Sequence, residues 1–289
     1  MNVATSLAIN KDVIAKLPNE VRQIINSDAE VVNKLGSNAM GNYLYVYKGV
    51  YATDEDVPVN PLTGERLRMG GNTSTQAYFK AGDPIWVDVN GDYIIDEKDK
   101  VIVGNSQPRM TGGISINLRY KAFSINTNCS FTLRRDIINK ALADRFRAYG
   151  TPVAGKVNLT GSGALTPIEA YNFWTEDNIY AQYPNPFDYT RSSIIQPFRY
   201  DQTLFMEDGS YFKINGISVA YTIPKKMLDF FRISRCQLNF SMNNIYTFSK
   251  YSGINPENVN NLGYDTSGGY PNGRTVTFGV SMDLSLIHI

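Results

Sequence analysis

Two apolar alternations meeting at a two-residue turn constrain this chain more than anything else in it. Ile114, Ile116, Leu118 and Tyr120 alternate with Ser115, Asn117, Arg119 and Lys121. Directly after them Phe123, Ile125, Cys129, Phe131 and Leu133 alternate with Ser124, Asn126, Asn128, Ser130 and Thr132. A period of two is the period of a strand, because successive side chains leave on opposite faces. A turn at Lys121-Ala122 pairs Tyr120 with Phe123, Leu118 with Ile125, Ile116 with Thr127 and Ile114 with Cys129, so both apolar rows fall on one face. The other face is rich in Asn and Ser. A soluble sandwich gives the same alternation, but strands of this length with a small polar inner face better suit a wide, water-filled barrel.

The same pattern recurs along the chain. Met1–Ile9 reads as a strand rather than as a secretory leader, having neither a basic start nor a sustained apolar core. Further strands are expected at Tyr211–Ile223, with a bulge at Gly216, at Arg235–Ile245 and at Arg274–Leu284. The connections alternate between short and long, which is the habit of outer-membrane barrels. Asp12–Lys34 has helical apolar spacing interrupted by Pro18, so one or two short helices are expected there. Tyr43–Tyr51 reads as one strand carrying Tyr43, Tyr45, Tyr47 and Tyr51 on one face. Residues 52–80 read as a loop, and residues 134–209 as a long, irregular extracellular loop whose aromatics argue for order. The fold class is all-β: the C-terminal part of a large antiparallel outer-membrane barrel.

Composition narrows the function. The 28 basic and 27 acidic residues nearly cancel, so no nucleic-acid partner is indicated. The single histidine, His288, leaves no inventory for a Ser-His-Asp triad or a His-rich zinc site. Cys129 and Cys236 lie on alternating strands and read as small apolar residues. The sequence contains no run of about twenty apolar residues, hence no transmembrane helix is expected; a barrel escapes that test.

One stretch carries the chemistry of a metal site. Asp88, Asn90, Asp92, Asp96 and Asp99 stand at positions 1, 3, 5, 9 and 12 of a twelve-residue loop, and Ile94 at position 7 offers a backbone carbonyl. That spacing wraps oxygens around calcium in EF-hand-type loops. Tyr93 sits where the sharp turn wants glycine, so a left-handed Tyr93 is expected, and Asp99 replaces the longer Glu. A solvated acidic turn is the competing reading. Structural calcium is the expected cofactor, within an acidic loop spanning residues 82–104.

The order of several motifs resembles one family. Gly82-Asp83-Pro84-Ile85-Trp86-Val87-Asp88-Val89-Asn90-Gly91-Asp92, then Val103-Gly104-Asn105-Ser106-Gln107-Pro108, is similar to a conserved stretch of the SusC/RagA-type TonB-dependent outer-membrane transporters. Glu207-Asp208-Gly209-Ser210-Tyr211-Phe212-Lys213-Ile214, Phe173-Trp174-Thr175-Glu176-Asp177-Asn178 and Tyr270-Pro271-Asn272-Gly273-Arg274-Thr275 resemble three more. The resemblance implies that residues 1–289 are the C-terminal portion of such a barrel, without the signal peptide, TonB box, plug and N-terminal strands of a complete member. It implies an importer, not an enzyme. The partners it implies are a SusD-like surface lipoprotein, the TonB-ExbB-ExbD complex acting through the missing parts, outer-membrane lipid, and a glycan, oligosaccharide or peptide as substrate. Tyr171, Trp174, Tyr180, Tyr183 and Tyr189 are candidate substrate contacts, since flat aromatic faces stack on sugar rings. The rival reading is a secreted, calcium-stabilised carbohydrate-binding β-sandwich.

Overall fold

The computed structural model describes residues 1–25, 32–39, 41–70, 74–149, 170–191, 193–228, 233–265 and 272–284. Its frame is one antiparallel sheet of six strands: β1 (Asn2–Ile9), β2 (Met110–Tyr120), β3 (Phe123–Leu133), β4 (Tyr211–Thr222), β5 (Ile233–Ser249) and β6 (Thr275–Leu284), hydrogen-bonded in that order. Chain order equals spatial order, so each strand pairs with its neighbour in sequence as in an up-and-down barrel wall.

The register is the one the alternation dictates. Tyr120 pairs with Phe123, Leu118 with Ile125, Ile116 with Thr127 and Ile114 with Cys129. Lys121 makes the turn with φ +53, the left-handed conformation a two-residue hairpin turn demands. Across the whole sheet the apolar row continues through Val219, Phe240 and Phe278, paired in that order. The row on the other face runs through Asn126, Ser218, Ser241 and Thr277. A bulge between Ile214 and Gly216 breaks the ladder where the sequence places it. A Cβ on Gly216 would come within 2.9 Å of Asn243 Oδ1, so a larger residue there would push the Asn243 side chain aside. The extra residue, Asn215, bonds Ser130 on the polar face through its Nδ2 at 3.0 Å.

A sandwich would bury the apolar face beneath a second sheet. Here Phe278 is 68% exposed, and Val3, Leu7, Leu118, Phe123, Phe240, Val276 and Val280 are exposed with it. The buried apolar core lies instead in the connections at one end of the sheet. Asn42–Tyr45 pairs with Lys100–Val103, Tyr47–Val50 with Pro84–Trp86, and Asp136–Ile138 with Met206–Asp208. Arg68–Met69 pairs in parallel with Ile94–Ile95.

Three expectations are corrected by this layer. Asp12–Lys34 contains no α-helix among its described residues. It holds a single 3-10 turn, Pro18–Glu20, followed by Gln23–Ile25 pairing with Val32–Lys34. Pro18 and the β-branched Val and Ile residues win over the helical spacing. Tyr43–Tyr51 is two strands rather than one, breaking at Val46 because its two halves pair with different partners. The stretch 134–209 is not merely irregular. It carries the helix α1 (Lys140–Tyr149), N-capped by Asn139, whose Oδ1 accepts from Leu142 N at 3.0 Å.

Candidate functional site

The wall itself is the first functional element. The six-stranded sheet presents a mainly apolar row on one face and a mainly polar one on the other, rich in Ser, Asn, Thr, Ala and Gly with a few charged side chains such as Arg119 and Lys213. That partition meets two solvents at once: hydrocarbon outside, where each backbone group is satisfied by the ladder, and water inside. Among the described residues no helix is long and apolar enough to cross a membrane, so strands are the elements here that fit a bilayer.

The connections form the second element, built around two aromatic clusters. In the first, Phe146 of α1 meets Tyr171, Phe173, Tyr183 and Phe198 with ring centroids 4.8, 4.9, 5.1 and 5.4 Å away. Four such edge-on contacts contribute about 0.5–1.5 kcal/mol each beyond area burial. In the second, Tyr45 stacks on Trp86 at 5.1 Å, and Arg199 covers Tyr45 at 4.6 Å. Gln202 is fully buried and joins the two segments. It accepts from Trp86 Nε1 at 2.8 Å and donates to the carbonyls of Pro197 and Arg199, both at 2.8 Å.

Two carboxylates, Asp83 and Asp201, anchor ion pairs in this layer. Arg191 forks onto Asp83 at 3.0 and 2.5 Å and spends its remaining donors on the carbonyls of Gln76 and Tyr78. Asp201 takes Arg199 at 2.5 and 2.8 Å and Lys100 at 2.8 Å. Burial acts to raise the Asp201 carboxyl, but Arg199 and Lys100 outweigh it and hold the group below the ordinary range. Sequence reading missed these groups. Their only signal is charge inside an otherwise aromatic stretch.

The aromatic candidates separate. Tyr171 and Tyr183 belong to the Phe146 cluster. Trp174, 8% exposed, donates through Nε1 to the Ala52 carbonyl at 3.3 Å, and its ring lies on Gly82 so closely that a Cβ there would come within 2.9 Å. Gly82 also takes φ +83, a second reason for glycine. These three side chains pack within the layer. Tyr180 is 84% exposed and free to meet a solute. Tyr189 begins the 3-10 turn Tyr189–Arg191, and its side chain is outside the described residues.

The acidic loop closes on itself. Asp88 accepts from the amides of Gly91 and Tyr93 at 2.7 and 2.8 Å, Asn90 from Asp92 at 3.0 Å, and Asp92 from Ile94 at 2.9 Å. Tyr93 is left-handed at φ +61, as the spacing requires, with Gly91 at +75. Asp99 is fully buried, and its two oxygens take the amides of Val89 and Asp96 at 2.9 and 2.8 Å. Burial pushes its carboxyl up against those amides. Asp99 therefore clamps the loop, and Asp96 caps the next turn through Lys98 N at 2.8 Å. Among the described residues, no three His, Cys, Asp or Glu side chains converge to hold a metal. Asp88, Asn90, Asp92 and Asp96 remain the half-buried or exposed oxygen donors.

No protein-family model matches the chain. TonB-dependent receptor P3 of Formosa agariphila is 27% identical over 305 residues, covering 97% of this chain and 26% of that protein. TonB-dependent receptor SusC of Bacteroides thetaiotaomicron is 23% identical over 268 residues, covering 86% and 24%. A solved structure of the RagAB peptide transporter superposes with TM-score 0.68 at 18% identity, covering 97% of this chain and 27% of that one. The two-faced wall and these likenesses give the chain the fold of part of an outer-membrane β-barrel, similar in sequence to TonB-dependent receptors. Within that class the chain is similar to the SusC/RagA-like receptors. It spans about a quarter of the length of the curated relatives it matches.

Proposed function

We propose that this chain is a section of wall, with its covering loops, in an importer that carries a glycan, oligosaccharide or peptide across the outer membrane. The reading rests on one observation above all: a sheet whose outer row is mainly apolar and exposed while its inner row is mainly polar from β1 to β6. Such a wall gives a solute a wet path and gives lipid a dry one. The name of the RagAB peptide transporter supports the peptide class. A SusD-like surface lipoprotein would hold the solute over the loop layer, and the TonB-ExbB-ExbD complex would supply energy through other parts of the receptor. Tyr180 is the exposed ring offered to the solute. Calcium belongs to the same reading as a structural ion on Asp88, Asn90, Asp92 and Asp96, added to a loop already closed by amides.

The test is uptake in cells. Deleting the gene that encodes this chain, or the gene for TonB, should abolish accumulation of a fluorescently labelled glycan or peptide and leave a porin-sized sugar unaffected. Unchanged uptake of every oligosaccharide and peptide tried in both deletions would refute the importer.

A further inference from the structure

At the loop end of β2 and β3 a cavity of about 410 Å³ is lined by Gly104, Asn105, Arg109, Arg134, Arg135, Asp136 and Asp208. Three guanidiniums meet two carboxylates there. None of the three has a carboxylate within ion-pairing distance among the described residues, whereas Arg191 and Arg199 of the same layer are closely paired. The two acids are occupied otherwise: Asp136 accepts from Asn105 N at 2.8 Å and Asp208 from Ser210 N at 2.9 Å.

Arg135 is the telling residue. Its Nη1 reaches the Pro256 carbonyl at 3.3 Å, yet its Nε is buried with no hydrogen-bond partner. A buried donor left unmade costs about 1–3 kcal/mol, more on a charged group. Burial also holds its guanidinium below the ordinary value, as happens to a cation lacking a nearby anion. Arg134, left-handed at φ +57, is pinned in place by its amide, which donates to Ser210 Oγ at 3.0 Å. Arg109 stands two residues before Thr111 and so continues the parity of the inner row Thr111, Gly113, Ser115, while its amide extends the ladder to the Arg134 carbonyl at 3.3 Å. That parity turns Arg109 to the solute side of the wall, away from lipid.

We infer that this cavity is an anion subsite at the mouth of the barrel, taking a carboxylate, sulfate or phosphate group carried by a passing solute. Arginine is the side chain whose planar fork matches such groups bidentately. The inference rests on the reading of the inner face as a solute path, and it narrows the substrate class to solutes with an anionic group. Two sources could present that chemistry, a soluble molecule or a lipid headgroup, and the inner-row parity selects the soluble one.

Calorimetric titration of the purified receptor in neutral detergent tests this, with succinate against succinamide and with inorganic sulfate as competitor. Succinate should bind, sulfate should compete, succinamide should not bind, and affinity should fall as salt rises. Arg135→Gln and Arg109→Gln should each weaken succinate by about tenfold, the size of one charge-assisted hydrogen bond. Arg119→Gln, at the far end of β2, should leave it unchanged and so controls for a general loss of charge. Equal binding of succinate and succinamide, absence of both, or indifference to Arg109 and Arg135 would overturn the subsite. Binding only to phosphatidylglycerol nanodiscs, with none to succinate, would overturn it in favour of a headgroup. Accumulation of a labelled acidic oligosaccharide by cells with and without the gene, measured alongside, reports on the importer separately: no dependence on the gene, with succinate binding intact, counts against the importer and not against the subsite.

Discussion

The sheet and the loop layer of this chain solve opposite problems with similar residues. The sheet turns Phe240, Phe278, Val276 and Leu118 outward and leaves them bare, while the layer encloses Phe146, Phe205, Tyr45 and Trp86. Phenylalanine is no more hydrophobic in one than in the other. What differs is the medium each region meets. Burial in a core and exposure to hydrocarbon both remove apolar surface from water, so a lipid-facing wall needs no core of its own. The layer sits in water and must build one.

That contrast can be broken by experiment. The largest effect is expected at the centre of the layer: Phe146→Ala should cost about 3–5 kcal/mol, read as a lower urea midpoint for the Trp86 and Trp174 fluorescence, because the ring is fully buried among four others. An unshifted midpoint would show that the layer has no shared core. Next in size, Val219→Arg on the outer row should cost about 2–4 kcal/mol of membrane stability near the bilayer midplane. Ser218→Arg, one residue along on the inner row, should cost little. Equal penalties in a lipid-refolding titration would mean that the two faces are not lipid and water.

A third, smaller effect is in acid. Asp201 has a folded value below its unfolded value of about 3.9, so its contribution is present above that pH and is lost as pH falls through the lower folded value. The layer's acid unfolding should therefore lie below pH ~4, and Asp201→Asn should flatten its pH dependence there. A profile identical to wild type would remove Asp201 from the account. The smallest effect concerns calcium: replacing chelator by calcium should slow proteolysis within 88–99 by roughly twofold, since the amides already close the loop, and Asp88→Ala should erase the difference.

How far the sequence could be read follows the same division. Period-two alternation is local, so β2, β3, their turn and the Gly216 bulge were legible residue by residue. The left-handed Tyr93 was legible because a twelve-residue loop leaves position 6 little choice. The layer was not, because its partners are distant: Trp86 meets Gln202, and Asp83 meets Arg191, across more than a hundred residues. Nothing near Val46 says that Tyr45 and Tyr47 will pair with different strands. Nor does Trp174 announce that its ring will lie on Gly82 and its N–H reach the Ala52 carbonyl. Aromatic composition signals that a segment is ordered, while leaving open whether the rings face inward or outward.

The small ladder of Asp136–Ile138 on Met206–Asp208 has a kinetic consequence. It stands at the root of the long stretch that separates Leu133 from Tyr211, immediately above the pairing of Thr132 with Tyr211. Closing a free loop of roughly eighty residues costs about 3 kcal/mol more than closing one of a few residues. Once this ladder and the Phe146 cluster form, the two strand ends are already side by side, and that entropy has been spent outside the membrane. β3 and β4 then zip as though joined by a short turn, which lowers the effective contact order of a wall whose connections look very long. Ile137→Pro, which removes the Ile137 amide from this ladder, should slow β3–β4 pairing more than it lowers final stability, measured by the protection of β4 amides during refolding into detergent.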